Sequence, residues 1–263
     1  MDLGLRGKKA LVTGASRGLG YATARLLAQE GVEVVINSRN PENISQAAEK
    51  LASETGAKVF GVAGDVTDPA FPQELMARTV ELLGGLDLLG TNSAGPVTGK
   101  FEALNDDAWY QAVELSLMSH VRLIRAALPA LRQSSTPSVL TFTSYSVKQP
   151  IPYLVLSNSV RLSTIGLTKT LALELGNEGI RFNSILPAWT ETERVVELMV
   201  ARAKINGTTP EEEIQKQSNE SVFKRMSTVE EFANAAVFLL SPAASFITGV
   251  MLTVDGGMYK GMM

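Results

Sequence analysis

The chain has 263 residues, a formal net charge of −3, 45% hydrophobic and 19% charged residues. It has no cysteine and a single histidine, His120, which excludes disulfides, thiolate catalysis and multi-histidine or cysteine metal sites. It has no basic block that would indicate nucleic acid, and no stretch approaches the roughly 20 apolar residues that span a bilayer. We therefore expect one cytoplasmic globular domain, residues 1–263, with a small-molecule substrate and no metal, nucleic-acid or membrane partner.

Short apolar runs rich in β-branched residues alternate with segments of helical spacing. Strands are predicted at residues 10–13, 32–37, 59–63, 86–92, 139–143, 180–186 and 251–254. This alternation is typical of a parallel sheet with helices on both faces, and continuous apolar strands suit a sheet buried on both sides. The predicted fold class is α/β, a Rossmann-type doubly wound parallel sheet of about seven strands.

The least regular segment, residues 191–226, lies between the sixth and seventh predicted strands. It is polar, with glutamates at 211–213 and helix breakers at Gly207 and Pro210. Long insertions in compact domains are often functional, so we predict a lid over a substrate pocket. The alternative is an ordinary helical insertion on the surface.

The octamer at residues 13–20, Thr-Gly-Ala-Ser-Arg-Gly-Leu-Gly, joins the first predicted strand to the first predicted helix. Glycines let a backbone approach a pyrophosphate closely, and a helix N-terminus supplies free N–H groups. The position between strand and helix favours a dinucleotide site over a plain turn. The predicted cofactor contacts in this turn are Thr13, Gly14, Ser16, Arg17, Gly18, Leu19 and Gly20.

The end of the second predicted strand bears on the choice of nucleotide. NAD sites usually carry an acidic residue there for the ribose 2′-hydroxyl, whereas this chain has Ser38 and Arg39. The guanidinium groups of Arg17 and Arg39 favour a 2′-phosphate through charge and paired hydrogen bonds. We therefore predict NADP(H), with Ser38 and Arg39 among its contacts. The alternative is that Arg39 is a solvated surface side chain.

These residues, with four further motifs, resemble the short-chain dehydrogenase/reductase family over nearly the whole chain. The further motifs are Asp65-Val66, Asn92-Ser93-Ala94-Gly95, Pro187-Ala188 followed by Thr190 and Thr192, and Asp255-Gly256-Gly257. The pattern is most similar to the 3-oxoacyl carrier-protein reductase and glucose dehydrogenase branches. The resemblance implies cofactor contacts by Asp65, Val66, Asn92, Ala94, Gly95, Arg161, Pro187, Ala188, Thr190 and Thr192. It also implies a homotetramer or homodimer, paired through helices 106–131 and 154–176.

The catalytic positions depart from the family pattern of a Tyr-x-x-x-Lys pair with a serine and an asparagine. Ser144 matches the serine, but Ser157 stands at the tyrosine position, Arg161 at the lysine position and Ser116 at the asparagine position. Arg161 retains positive charge and can bind ribose hydroxyls, but it cannot usefully relay a proton. Ser157 is too weak an acid to replace tyrosine directly.

Other residues are candidates for the missing proton donor. Tyr153 and Lys148 lie within reach of the site in sequence, on a loop containing Pro150 and Pro152, although both also fit a pocket wall or surface. A water held by Ser116 and Ser157 is a further alternative. His120 is more typical of a structural residue or a subunit contact, and Trp189 fits either the core or a substrate wall.

Three functions are consistent with these patterns. The favoured one is an NADP(H)-dependent oxidoreductase acting on a carbonyl or hydroxyl group with an atypical catalytic site. The alternative is a cofactor-binding pseudoenzyme that senses NADP(H) or supports a partner subunit. A non-redox reaction such as that of halohydrin dehalogenases is disfavoured. Those related enzymes keep the tyrosine and lose the nucleotide glycines, whereas this chain does the reverse.

Overall fold

Strands and helices alternate through residues 2–262, the part of the chain that the computed structural model describes. Strands β1 to β7 span Lys9–Val12, Glu33–Ser38, Val59–Ala63, Leu88–Thr91, Ser138–Phe142, Arg181–Pro187 and Met251–Val254. Helices α1 to α9 span Gly18–Gln29, Pro41–Thr55, Phe71–Leu83, Asp106–Val113, Ser119–Leu131, Val155–Glu174, Glu193–Asn206, Pro210–Ser218 and Val229–Leu240. Short 3-10 turns cover Phe101–Ala103, Tyr145–Val147, Gly176–Glu178 and Pro242–Ala244.

The strands of this region form one sheet in the order β3-β2-β1-β4-β5-β6-β7, and each neighbouring pair is parallel. Ala10 of β1 pairs with Val34 on one side and with Leu88 on the other. The strand order therefore reverses between β1 and β4, and ligands bind doubly wound sheets at the carboxyl ends of the strands beside such a point. The predicted fold class is confirmed, and strand boundaries shift by no more than two residues.

Both faces of the sheet are buried, since neighbouring residues of a strand enter different cores. Val34 and Ile36 pack with helices α1, α2 and α9. Val35, between them, packs on the opposite face with α3 and α5. This explains the unbroken apolar runs of the central strands, because no position on them faces water.

The predicted helix 106–131 is interrupted rather than continuous. Helices α4 and α5 are joined by a π-helical turn, Glu114–Met118. Such a turn adds a residue to one helical turn and often marks a functional site, and here it contains Ser116. The predicted helix 154–176 corresponds to α6, and Tyr153 lies in the loop before it, at a φ of 66°.

The predicted lid region contains α7 and α8. Gly207, at a φ of 67°, ends α7 in a left-handed conformation that suits glycine. Thr209 then opens α8 through a reciprocal capping box with Glu212. Among residues 2–262, no helix is both long and apolar enough to cross a bilayer.

Arg181, at the start of β6, provides a test of the fold. Its side chain is buried and donates to the carbonyl oxygens of Leu239, Leu240 and Ser241 at 2.7, 2.9 and 2.9 Å, where α9 ends. Arg181→Met removes the guanidinium donors: Leu239 O and Ser241 O keep a donor in Ser138 Oγ and Ala244 N, whereas Leu240 O loses the donor that Arg181 gives it. We expect it to lower the free energy of unfolding by about 2–4 kcal/mol, measured by urea denaturation.

Arg78→Met is the matched control. Arg78 forms an exposed ion pair with Glu81 on α3, and such pairs contribute less than about 1 kcal/mol. Equal losses in the two variants would contradict a structural role for Arg181.

Candidate active site

The glycine turn, residues 13–20, packs tightly where β1 passes into α1. Gly14 and Gly18 have φ angles of 57° and 62°, and a Cβ on Gly20 would lie 2.5 Å from the carbonyl oxygen of Gly14. Arg17, the residue before α1, makes no side-chain capping bond. The first N–H groups of α1 are therefore not capped by that side chain, which fits an incoming phosphate.

Asn92, at the end of β4, holds the glycine turn in place. Its backbone N–H donates to Thr13 Oγ1 at 2.9 Å, and Thr13 Oγ1 donates to Asn92 O at 2.7 Å. Its side-chain amide donates to Gly14 O at 3.0 Å. Thr13 and Asn92 were predicted as cofactor contacts, and these bonds give both a structural role in fixing the turn.

The far end of the cleft contains the predicted nucleotide-selecting residues. Ser38 ends β2, and its Oγ is buried without a hydrogen-bond partner among residues 2–262. Arg39 is largely exposed, with Nη1 3.9 Å from Asp65 Oδ2. An unpaired hydroxyl beside an exposed guanidinium fits the 2′-phosphate of a ribose. The residues present thus fit a dinucleotide along the whole cleft.

Three of the predicted catalytic residues meet at the carboxyl ends of the central strands. Ser144 follows β5 and accepts a hydrogen bond from Ser146 N at 3.1 Å. Ser157, in α6, lies 3.4 Å from Ser146 through their hydroxyl oxygens. Arg161, one turn further along α6, lines the same cleft. Two hydroxyls and one guanidinium therefore converge at this end.

Arg161 is buried and held by backbone carbonyl groups. Nη1 donates to the oxygens of Phe142 and Thr143, both at 3.2 Å, and Nη2 donates to Ala94 O at 3.3 Å. Burial and the nearby charge of Arg194 lower the pKa of Arg161 to about 10. The guanidinium is thus charged at neutral pH, and its remaining N–H groups can serve a ligand.

Ser116 and His120 lie behind Arg161 and are almost fully buried. Ser116 Oγ and His120 Nε2 have no hydrogen-bond partner within the described residues, while His120 Nδ1 lies 2.7 Å from Thr91 Oγ1. Burial, with the charge of Arg161, lowers the pKa of His120 to about 3. His120 is consequently neutral at physiological pH. Ser116 is not among the residues that line the cleft.

Tyr153 and Lys148, the two predicted substitute donors, also lie outside the lining of the cleft. Lys148 Nζ stands 5.2 Å from the centre of the Tyr259 ring. Tyr153 approaches Arg202 of α7: burial lowers the pKa of Arg202, and Glu213, Glu220 and the Tyr153 phenol offset part of that shift. In these positions neither side chain borders the site formed by Ser144, Ser157 and Arg161.

The cleft has a volume of about 920 Å³. The predicted cofactor contacts apart from Thr13 and Gly20 line it. Residues not singled out as contacts also line it: Pro96, Ile151, Leu154, Glu193, Arg194, Val195 and Leu198. Most belong to α7 or the loop before α6. The sequence of 191–226 indicated a lid from its length and position, but its polar composition does not show which helical face docks on the cleft.

Trp189 lies at the junction of the cleft and the lid region. Its ring lines the cleft, is almost fully buried and lies 4.9 Å from the guanidinium carbon of Arg202. Further along, Glu213 accepts hydrogen bonds from Asn206 and Thr208. Helices α7 and α8 therefore form a unit joined to the cleft through Trp189.

The comparisons with known proteins agree with this geometry. The family profile described as Enoyl-(Acyl carrier protein) reductase matches residues 14–259. Dehydrogenase/reductase SDR family member 4 of Homo sapiens is 32% identical over 254 residues, which cover 96% of this chain and 88% of the relative. The crystal structure of L-sorbose reductase from Gluconobacter frateurii, complexed with NADPH and L-sorbose, matches with a TM-score of 0.95 and 32% identity over 100% of both chains.

A second solved structure is also similar to this chain. It is an NADPH-bound short chain oxidoreductase from Pseudomonas aeruginosa PAO1, described as containing an atypical catalytic center, with a TM-score of 0.87 and 26% identity over 97% of each chain. With the fold and the profile match, these likenesses establish the class. The chain belongs to the short-chain dehydrogenase/reductase family of oxidoreductases, as its sequence motifs indicated.

The low pKa of His120 predicts a pH dependence of stability. Unfolded histidine has a pKa of about 6.5, so the unfolded chain binds a proton that the folded chain excludes. Stability is therefore present above pH 6.5 and falls as pH decreases towards the folded pKa. Between pH 6.5 and 5, above the range where most carboxylates titrate, we expect a loss of about 2 kcal/mol by urea denaturation.

His120→Gln is expected to remove most of that slope. Because the chain has one histidine, its imidazole NMR resonance is also unambiguous, and we expect no titration between pH 5 and 8. A midpoint near pH 6.5 in the folded protein would contradict the argument.

Proposed function

We propose that this chain is an NADP(H)-dependent oxidoreductase that acts on a small carbonyl or hydroxyl substrate. The observation that carries the proposal is the convergence of Ser144, Ser157 and Arg161 at one end of a cleft whose other end holds Ser38 and Arg39. Such a cleft suits a dinucleotide and a substrate held end to end.

The choice of NADP(H) rests on charge at the adenosine end. Neither Ser38 nor Arg39 repels a 2′-phosphate, and Arg39 supplies a cation free to reorient, since its 3.9 Å approach to Asp65 is loose. L-Sorbose reductase and the Pseudomonas oxidoreductase, both similar to this chain, have structures with NADPH. These likenesses support the same cofactor here.

At the reaction end, the chain's own groups would position the substrate. NADPH, when bound, supplies the hydride. Ser144 and Ser157 each offer a hydroxyl that can donate to the carbonyl oxygen as negative charge develops. Arg161 contributes a fixed positive charge and N–H donors for the ribose hydroxyls, in the manner of the lysine that the family usually has at this position.

The proton reaches the product oxygen by a route that differs from the family pattern. A water at Ser157, which lines the cleft, would relay a proton from solvent; Ser116, predicted to share that water, does not line the cleft. Tyr153 is the alternative donor and would have to swing from its position near Arg202. Its left-handed backbone is unusual for a bulky residue and is found mainly at functional turns.

Helices α7 and α8 are proposed to act as the lid of the substrate end. That end has apolar walls, formed by Ile151, Leu154, Trp189, Val195 and Leu198.

The proposed pairing of subunits into a homo-oligomer through α4 and α6 is supported by exposed apolar side chains on these helices. They are Tyr110, Leu162 and Leu173.

Arg39→Ala tests the cofactor. Loss of a charge-assisted bond to the 2′-phosphate is expected to weaken NADPH binding about 10- to 100-fold and leave NADH binding unchanged. Affinities are measured by nucleotide fluorescence titration, and Arg78→Ala on α3 is the control for loss of a surface cation. Equal weakening of both nucleotides would contradict selection at Arg39.

Turnover is tested with NADPH and a panel of ketones, acyl thioesters and sugars including L-sorbose, followed by absorbance. We expect oxidation of NADPH with at least one substrate.

Ser144→Ala is expected to lower kcat by about 10²-fold or more without changing NADPH affinity. Unchanged turnover in Tyr153→Phe would exclude Tyr153 as the proton donor. Binding of NADPH without turnover on any substrate would favour the pseudoenzyme. Failure to bind NADPH would contradict both functions.

A further inference from the structure

Four charged side chains meet where α7 begins beside the glycine turn. Arg17 Nη1 lies 2.6 Å from Glu193 Oε2, and Nη2 lies 3.7 Å from Glu197 Oε1. Arg194 Nη1 lies 3.6 Å from Glu197 Oε2. We call these four residues the mouth cluster. It joins two segments that are 176 residues apart in sequence.

The mouth cluster is poorly suited to stabilising the fold. Its side chains are 45–65% exposed, and exposed ion pairs contribute little because water screens them. Because these ion pairs are exposed, replacing one carboxylate partner by another anion costs little free energy. A charged ligand that enters the cleft can therefore compete for Arg17 and Arg194.

Arg194 lines the cleft. Its Nη2 is 3.4 Å from Pro96 O, and its guanidinium lies 3.7 Å from the position of a Cβ on Gly95, just beyond β4. Thr192, two residues earlier, lies 3.7 Å from the corresponding position on Gly18 of the glycine turn. The start of α7 thus bridges the loop after β4, through Arg194, and the glycine turn, through Thr192. This class of fold receives the phosphates of a dinucleotide between those two segments.

The charges along the cleft also favour an anion at this point. Of the residues that line it, four are arginines (Arg17, Arg39, Arg161 and Arg194) and two are acidic (Asp65 and Glu193). Arg161 has no carboxylate within 4.0 Å in the described part of the chain, and its pKa is lowered first by burial and then by the charge of Arg194. The two guanidinium groups donate to Ala94 O and Pro96 O, two residues apart. The two guanidinium groups therefore repel each other, and an anion near both would relieve that repulsion.

We propose that Arg194 binds the pyrophosphate of the cofactor in exchange for Glu197, while phosphate oxygens also draw Arg17 from Glu193. This inference rests on the proposed nucleotide function. It makes Arg194 a cofactor-binding residue and makes Glu193 and Glu197 competitors of the cofactor. It also links occupancy of the nucleotide site to the first turn of α7, so that the nucleotide holds the lid from its N-terminal end.

The first test removes each charge in turn. Arg194→Gln is expected to weaken NADPH and ADP-ribose binding about 10-fold, the effect of one charge-assisted bond, with a smaller difference at high salt. Adenosine 2′-monophosphate, which has no pyrophosphate, is expected to bind unchanged. Glu197→Gln is expected to tighten NADPH and ADP-ribose binding, because it removes the competing carboxylate. Lys204→Gln on α7 and Glu211→Gln on α8 are the matched controls.

Several results would overturn the inference. Unchanged ADP-ribose affinity in Arg194→Gln would do so, and an increased KM for a 2-keto acid alone in that variant would identify a substrate carboxylate as the anion instead. Weaker binding in Glu197→Gln would show that the mouth cluster is a structural support of α7. These failures are distinct from failure of the proposed function, in which the wild-type protein would not bind NADPH.

Discussion

The nucleotide cleft depends on the hydrogen bonds between the ends of β1 and β4. Thr13 and Asn92 bond reciprocally, and the Asn92 amide also holds Gly14. Because the strand order reverses between these two strands, the chain leaves β1 and β4 towards opposite sides and opens a crevice. The three bonds keep the glycine turn at the base of that crevice, so the start of α1 and the residues after β4 face a common ligand.

At the reaction end, the fold accommodates Arg161 at the position where the family usually has a lysine. A buried guanidinium is costly unless its N–H groups are bonded, and Arg161 meets this requirement through three carbonyl oxygens at the ends of β4 and β5. Two of these carbonyls, of Phe142 and Thr143, lie at the end of β5, and that of Ala94 lies in the loop after β4. Arg161 is therefore integrated into the sheet, whereas Ser157 leaves the neighbouring position open to substrate or water.

Local patterns in the sequence predicted the sheet and the glycine turn, because both depend on short-range spacing. The positions of Ser144, Ser157 and Arg161 followed from the family resemblance and its motif spacing. Sequence spacing could not predict which way the Ser116 side chain points. The π-helical turn adds a residue to the helix, and the hydrophobic periodicity of the sequence does not reveal that extra residue. Arg194 and Leu198 escaped prediction for another reason. Their place in the cleft depends on how α7 docks against Trp189 and the glycine turn. The polar sequence of α7 does not indicate which of its faces makes this tertiary contact.

The bonds between Thr13 and Asn92 also bear on the order of folding. They join residues 79 positions apart in sequence. Strand β1 can pair with β4 only after the segment that contains β2, β3 and the helices between them has been synthesised. Such non-local contacts form late, because the chain loses loop-closure entropy before these contacts contribute any stabilisation. The first β-α-β unit thus contains the glycine motif in full, yet on a ribosome-bound or truncated chain its turn would lack the partner that shapes it. The shape of the glycine turn is consequently a property of the assembled sheet and not of the motif alone.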